Sequence, residues 1–249
     1  IEYKSREYDF LSLNTTSEIL SDPAVRKAIS LIIDKNNIVA SCLGSGYVSS
    51  NFSLDMGFWL YTKDLNVGVD TEQANNLLAS SGWQRSNNAL IKDHKKLTLS
   101  LAVNTNNELR VRAAENIKEQ LENFGIPVTI QYLSAESYAD AINNRNYEMV
   151  LTEIRLGYSP NLNTFFGDGN IANYYNPEVA EIMNIVSNTN DDNTLYENYN
   201  RLYDIYLEEA PYIGLSRDTN VIVYNQSLVG NIKANEFNIY HNIDKWYRQ

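Results

Sequence analysis

Two opposite charges stand one residue apart near the end of Tyr147-Glu-Met-Val-Leu-Thr-Glu-Ile-Arg155. The apolar residues of this segment suit a β-strand, whose side chains alternate between two faces. If Ile154 and Leu156 face the core, Glu153 and Arg155 share the opposite side. On the wall of a desolvated cleft, such charges anchor a ligand's ammonium and carboxylate ends. The same spacing also suits a salt-bridged pair or a solvated strand end. Other groups with chemical potential are poorly placed. His94 and His241 lie far apart, with no HExxH-type pairing and no CxxC partner, and read as surface or strand-end histidines. Gly44-Ser-Gly46 follows a helical pattern rather than a strand, so it lacks the context of a dinucleotide loop. No Walker-type phosphate loop and no G-x-S-x-G elbow occurs. Asp191-Asp192 precedes a helix, where acids complement the dipole, and reads as a cap rather than a cation site. Glu208-Glu209 ends a helix and reads as exposed charge. Catalysis needs a nucleophile, a base and an orienting group in one pocket. The sequence supplies no such set, so neither an enzyme nor a metal or other cofactor is expected.

These groups belong to a chain of 249 residues with 43% hydrophobic content, long enough for one large core or two modest ones. The net charge of -11 argues against nucleic-acid binding, which needs cations facing phosphates. Cys42 is the only cysteine, so no internal disulfide forms, and it reads as a buried, inert thiol. No apolar run is long enough to cross a bilayer. IEYKSREYDF has no signal-peptide pattern, and a start at Ile1 suits a processed chain or an excised fragment.

Local patterns give an ordered set of elements. Tyr8–Leu13 reads as a strand. Asp22 caps a helix with Pro23 in its first turn, and Val25, Ala28, Ile29 and Ile32 form one buried stripe. Asp34 caps a second helix, continued by Ile38 and Val39 and stopped by Gly44. Residues 45–69 read as an irregular connection anchored by Phe58, Trp59 and Tyr61. Asp70 caps a helix that buries Ala74, Leu77 and Leu78 and ends at Gly82. Leu97–Val103 reads as a strand, Glu108–Phe124 as an amphipathic helix stopped by Gly125, and Ile126–Tyr132 as a strand. That order implies a right-handed crossover between parallel strands. A short helix runs through Ala141, and Tyr147–Arg155 is the next strand. Short helical structure is expected at Asn161–Phe166, helices at Pro177–Val186 and Thr194–Glu209, and strands at Pro211–Leu215 and Asn220–Tyr224. Strands alternating with helices predict an α/β fold.

Four of these segments carry a resemblance. DPAVRKAIS with the following ID, IV and LGSGY, the run Ala74-Asn-Asn-Leu77-Leu78-Ala-Ser-Ser-Gly82-Trp83, the step IKEQLENFGIPVTI, and YLEEAPYIGLSRDTNVIVYN resemble, in order and spacing, the C-terminal lobe of the family 5 extracellular solute-binding proteins. These are peptide and nickel receptors of ABC importers. Ser81 departs from the alanine usual at its position. The resemblance implies the C-terminal lobe of a type II-like (cluster C) periplasmic binding protein, with a mixed sheet flanked by helices. Residues 1–215 would form the ligand-binding lobe, beginning at the hinge strand. Residues 216–249 would return to an N-terminal lobe absent here, leaving a tail that is poorly packed, domain-swapped or paired with a neighbouring copy.

The implied function is that of an ABC-importer binding subunit, extracytoplasmic, either periplasmic or a cell-surface lipoprotein. It would hold a small peptide between two lobes and deliver it to a permease. Alternatives are a nickel or metal-chelate receptor, the sensing lobe of a transcriptional regulator, and, as a third class, an α/β enzyme. The family's ligand-facing loop often carries an aspartate that neutralises a peptide's ammonium. Aligned on Pro160, this chain has Leu156 at that position and Glu153 where the family has tryptophan. The usual ammonium anchor is therefore missing, and strand alternation leads to the expectation that Glu153 replaces it and Arg155 meets a carboxylate, while Tyr158 and Asn161 line the loop.

Overall fold

The computed structural model describes residues 1–53, 60, 68–87, 89–157, 162–235 and 238–249. Strand β1 (Glu2–Leu13) leads into helices α1 (Pro23–Ile32) and α2 (Lys35–Ile38), the latter prolonged by a π-turn at Val39–Leu43. Next come β2 (Tyr47–Ser49) and α3 (Thr71–Ser80). A small meander follows, of β3 (Gln84–Ser86), β4 (Ala89–Lys92) and β5 (Lys95–Lys96). The α/β unit is β6 (Leu99–Asn104), α4 (Glu108–Phe124), β7 (Val128–Leu133), α5 (Ala135–Asn144) and β8 (Met149–Arg155). Helices α6 (Asn163–Phe166), α7 (Pro177–Asn188) and α8 (Asp192–Glu209) precede β9 (Tyr212–Val221), and β10 (Leu228–Val229) pairs with β11 (Tyr247–Arg248).

Helix ends follow from capping chemistry. Asp22, Asp34 and Asp70 each accept a backbone N–H of the first turn, at 2.9, 3.0 and 2.8 Å. Such a cap contributes about 1 kcal/mol over alanine. Asp191 caps α8 through the Thr194 N–H at 2.8 Å. Gly125 closes α4 at φ 107°, a conformation costly for a residue with a Cβ.

The main sheet has the order β2-β9-β1-β8-β6-β7. β6 runs parallel to β7 and β8, and the other pairs are antiparallel. One face buries Leu11, Leu13, Leu101, Met149 and Leu151 against α1, α3 and α4. The other buries an aromatic cluster from β1, α6, α8 and β9, in which the Phe165 ring lies 5.1 Å from Phe10 and 4.5 Å from Tyr212.

Several expectations need correction. β1 begins at Glu2, because its first residues pair with β9 although they carry no apolar pattern. The two strands expected at 211–215 and 220–224 are the single strand β9. The supposed irregular segment after Gly44 contains β2, which pairs with β9. Cys42 is half-buried rather than buried, with its Sγ 3.6 Å from the Arg112 carbonyl. The boundary expected after Leu215 falls inside β9, where Ser216 and Arg217 are buried. Beyond it, Val223, Tyr224, Ile239, Tyr240, Ile243 and Tyr247 are exposed. Phe58, Trp59 and Tyr61 lie outside the described residues.

Candidate functional site

The chain passes from β6 through α4 to β7 on one side, then through α5 to β8 on the other side of β6. The strand order therefore switches between β6 and β8, and in open α/β sheets ligands collect outside the carboxyl ends of strands at such a point. The two strands also part there. Their pairing stops at Ala102↔Val150, while β6–β7 continues to Asn104↔Leu133 and β8–β1 to Glu7↔Arg155. The Tyr138 hydroxyl of α5 donates to the Leu151 carbonyl at 2.8 Å, satisfying an acceptor the ladder leaves open.

Charged side chains gather on one face beside this crevice. Glu153 lies opposite Asp9, and Arg155 opposite Glu7, in the β1–β8 register. Arg110, from the first turn of α4, donates its Nε to Asp9 at 2.9 Å and its second nitrogen to Glu153. Ser216 donates to the other Asp9 oxygen at 3.2 Å. Farther out, Arg155 lies 3.4 Å from Glu7, and Tyr47 is paired with Asp218. Two register shifts in the β1–β9 ladder flank Asp9, and bulges of this kind re-aim side chains.

Burial pushes the Asp9 carboxyl above its usual range, and Arg110 restrains that rise. Burial acts to lower the Arg110 pKa, but Asp9 and Glu153 overcome it and hold Arg110 above its ordinary value. Burial and the neighbouring carboxylates Asp9, Glu153 and Glu7 push Asp218 up to about 6. Burial raises the hydroxyls of Tyr47 and Tyr138 as well. Four carboxylates thus face two guanidiniums, so the wall favours a positively charged group.

The strand alternation places Glu153 and Arg155 together, with Ile154 and Leu156 packed into the aromatic cluster on the other face. The two do not pair with each other: Glu153 goes to Arg110, and Arg155 to Glu7. Tyr158, Pro160 and Asn161 lie outside the described residues. Sequence reasoning missed Asp9, Arg110, Ser216 and Asp218. An acid between Tyr8 and Phe10 in a core strand was the available signal for Asp9. Among the described residues, two clefts lie elsewhere. One of about 580 Å³ is lined by Glu18, Trp83 and Lys92, and one of about 790 Å³ by Asn170, Tyr174 and Asn176. The amide groups of Asn170 and Asn176 are already spent on neighbouring backbone and side chains.

Residues 1–175 match the family model of the bacterial extracellular solute-binding proteins, family 5. The chain belongs to this family. Among its family 5 relatives, the oligopeptide-binding protein AppA of Bacillus subtilis is 26% identical over 254 residues, covering 96% of this chain and 46% of AppA. The periplasmic murein peptide-binding protein MppA of Escherichia coli is 24% identical over 230 residues, covering 85% and 40%. AppA in complex with a nonapeptide superposes with a TM-score of 0.79 at 23% identity, covering all of this chain and 52% of AppA. NikZ from Campylobacter jejuni in complex with Ni(L-His) gives a TM-score of 0.80 at 24% identity, covering 100% and 53%. These superpositions establish the fold as that of a periplasmic-binding-protein lobe, a mixed sheet flanked by helices. The chain spans about half the length of the curated relatives it matches.

Proposed function

We propose that this chain is one lobe of an extracytoplasmic peptide receptor, either periplasmic or a surface lipoprotein, that serves an ABC permease and performs no catalysis. Peptide binds between this lobe and an N-terminal lobe outside the chain. Glu153 takes a cationic group and Arg155 a carboxylate, with Tyr158 and Asn161 on the adjoining loop. The body of the lobe runs through the end of β9 at Val221, and the segment after it returns to the opposing lobe. The observation that carries this reading is the charged wall at the β6/β8 switch point in a chain of this family. Support also comes from the exposed apolar residues beyond Val221, which need a covering surface.

Domain closure over such a wall would exclude water and strengthen both charge contacts. The test is native mass spectrometry of the intact protein for a co-purified peptide, followed by calorimetry with Glu153→Ala and Arg155→Ala. The reading expects a bound peptide and weakened binding in each variant. Unchanged affinity in both would remove these residues from the site.

A further inference from the structure

Strand β1 departs sharply from its ladder with β9 at one place. Lys4 pairs with Thr219 and Tyr8 with Arg217, so Ser5, Arg6 and Glu7 of β1 stand opposite Asp218 alone. Extra residues on one strand bend it and free its groups to turn elsewhere. Here they turn to β8. Glu7 pairs with Arg155 in the β1–β8 register, and their side chains approach within 3.4 Å. The Leu156 N–H donates to the Arg6 carbonyl at 2.9 Å, and the Arg6 guanidinium donates back to the Leu156 carbonyl at 3.0 Å. The Ser5 hydroxyl accepts the Glu7 N–H at 3.0 Å and braces the bulge from within. Beyond the bulge, Glu2–Lys4 and Thr219–Val221 continue as a two-stranded ribbon. The Gly46 carbonyl accepts the Thr219 N–H at its base, at 2.7 Å, and the Ile222 N–H closes its far end on the Ile1 carbonyl at 2.9 Å.

We propose that Arg6 is a positioning residue that couples the angle of this ribbon to the carboxyl end of β8, so that bending at the bulge re-aims Glu153 and Arg155. Its meaning for binding rests on the peptide-receptor reading, in which β9 leads towards the opposing lobe. A backbone bond between Arg6 and Leu156 fixes their separation but leaves the strands free to pivot about it. The guanidinium bond to the same residue removes that freedom. It is charge-assisted, and such bonds are stronger than neutral ones. Leu156 does not yield on its own, because its side chain packs into the aromatic cluster. Movement of the bulge therefore passes along β8 to Arg155 and Glu153, which share one face. The coupling runs both ways: order imposed at the end of β8 stiffens the ribbon.

The experiment is native-state hydrogen exchange on the intact protein, read at the Leu156 amide as a double-variant cycle. Val221→Gly loosens the ribbon, since glycine weakens a strand and Val221 is 59% exposed, so little packing is lost. Exchange in α4 reports global stability and should stay unchanged. With Arg6 in place, Val221→Gly should speed exchange at Leu156 about fivefold. In an Arg6→Met background the same change should move it less than about twofold, while exchange within the ribbon still rises. Arg6→Lys returns a donor for the Leu156 carbonyl and should restore the response. Methionine keeps the aliphatic stem, so a role in packing alone would show no difference between the two backgrounds. An equal response in wild-type and Arg6→Met backgrounds overturns the inference. So does a response that Arg6→Lys fails to restore, or the absence of any response at Leu156 with Arg6 in place. The cycle needs no ligand: its failure leaves the peptide-receptor reading standing, and a failure of that reading leaves the Arg6 coupling to be decided by the cycle.

Discussion

Replacing Arg110 by methionine isolates the electrostatics of the charged wall. The side chain is only 13% exposed and touches Asp9 at 2.9 Å and Glu153 on its other side. Methionine keeps the aliphatic stem and removes the charge. The Asp9 side chain, 9% exposed, is then left beside Ser216 with no cation. Breaking a buried pair on one side costs about 3–5 kcal/mol. Asp9 limits that cost by taking up a proton. A carboxyl ionised in the unfolded chain with a pKa near 3.9 and neutral in the folded one opposes folding by about 1.4 kcal/mol per pH unit above 3.9. The ceiling is therefore about 4 kcal/mol at pH 7 and under 1 kcal/mol near pH 4.5. Burial already raises Asp9 in the wild type, so part of this slope is present before the substitution. Glu153, 45% exposed, adds less than about 1 kcal/mol. The expected net loss is about 3 kcal/mol at pH 7, shrinking as pH falls.

Urea unfolding of Arg110→Met at about pH 7 and about pH 4.5 measures this directly. The double variant Arg110→Met with Asp9→Asn should recover most of the loss, because the amide still accepts from Ser216 and carries no charge. Equal destabilisation at both pH values, with no recovery in the double variant, would refute the electrostatic account. Arg110 would then act by packing alone.

Other positions give sharp expectations. Arg26 is buried and donates to the carbonyls of Leu20, Ser21 and Glu209 at 2.8, 3.1 and 2.8 Å, so Arg26→Met should lower unfolding stability by about 3 kcal/mol by denaturant titration. Asn14 donates to Tyr147 and Arg145 and accepts from Asn173, and Asn14→Ala should cost about 2 kcal/mol in the same assay. A Cβ at Gly214 would meet the Ser50 and Asn51 carbonyl oxygens at 2.6 Å each, so Gly214→Ala should destabilise by at least about 2 kcal/mol or prevent soluble expression. Phe165→Ala should cost about 4 kcal/mol by emptying the centre of the aromatic cluster, read as a lowered thermal midpoint.

Some of this was legible in sequence because it is local. An aspartate before an apolar helical stripe marks a cap whatever the tertiary context, and Asp22, Asp34 and Asp70 cap as their spacing predicts. Gly125 ends α4 because its φ excludes most other residues. What sequence hid is non-local. The first residues of β1 carry no apolar alternation, and only pairing with β9 makes them a strand. Ser216-Arg217-Asp218 interrupts the apolar pattern of β9, so one strand resembled two. Its polar residues serve Asp9, Tyr8 and the outer wall, partners far away along the chain. Arg26 and Arg110 lie on helices with no local signal of burial, and only packing against α8 and β1 gives them buried roles. In the charged wall, alternation placed Glu153 and Arg155 on one face, but their ion-pair partners required the fold.

The most direct test of the central claim is a crystal structure of the intact protein with a bound peptide. The account predicts peptide density against the carboxyl end of β8, between this lobe and a second one, with a peptide nitrogen in hydrogen-bond contact with Glu153. A peptide seated in the cleft beside Tyr174, or one that leaves the β6/β8 crevice open to solvent, would contradict it.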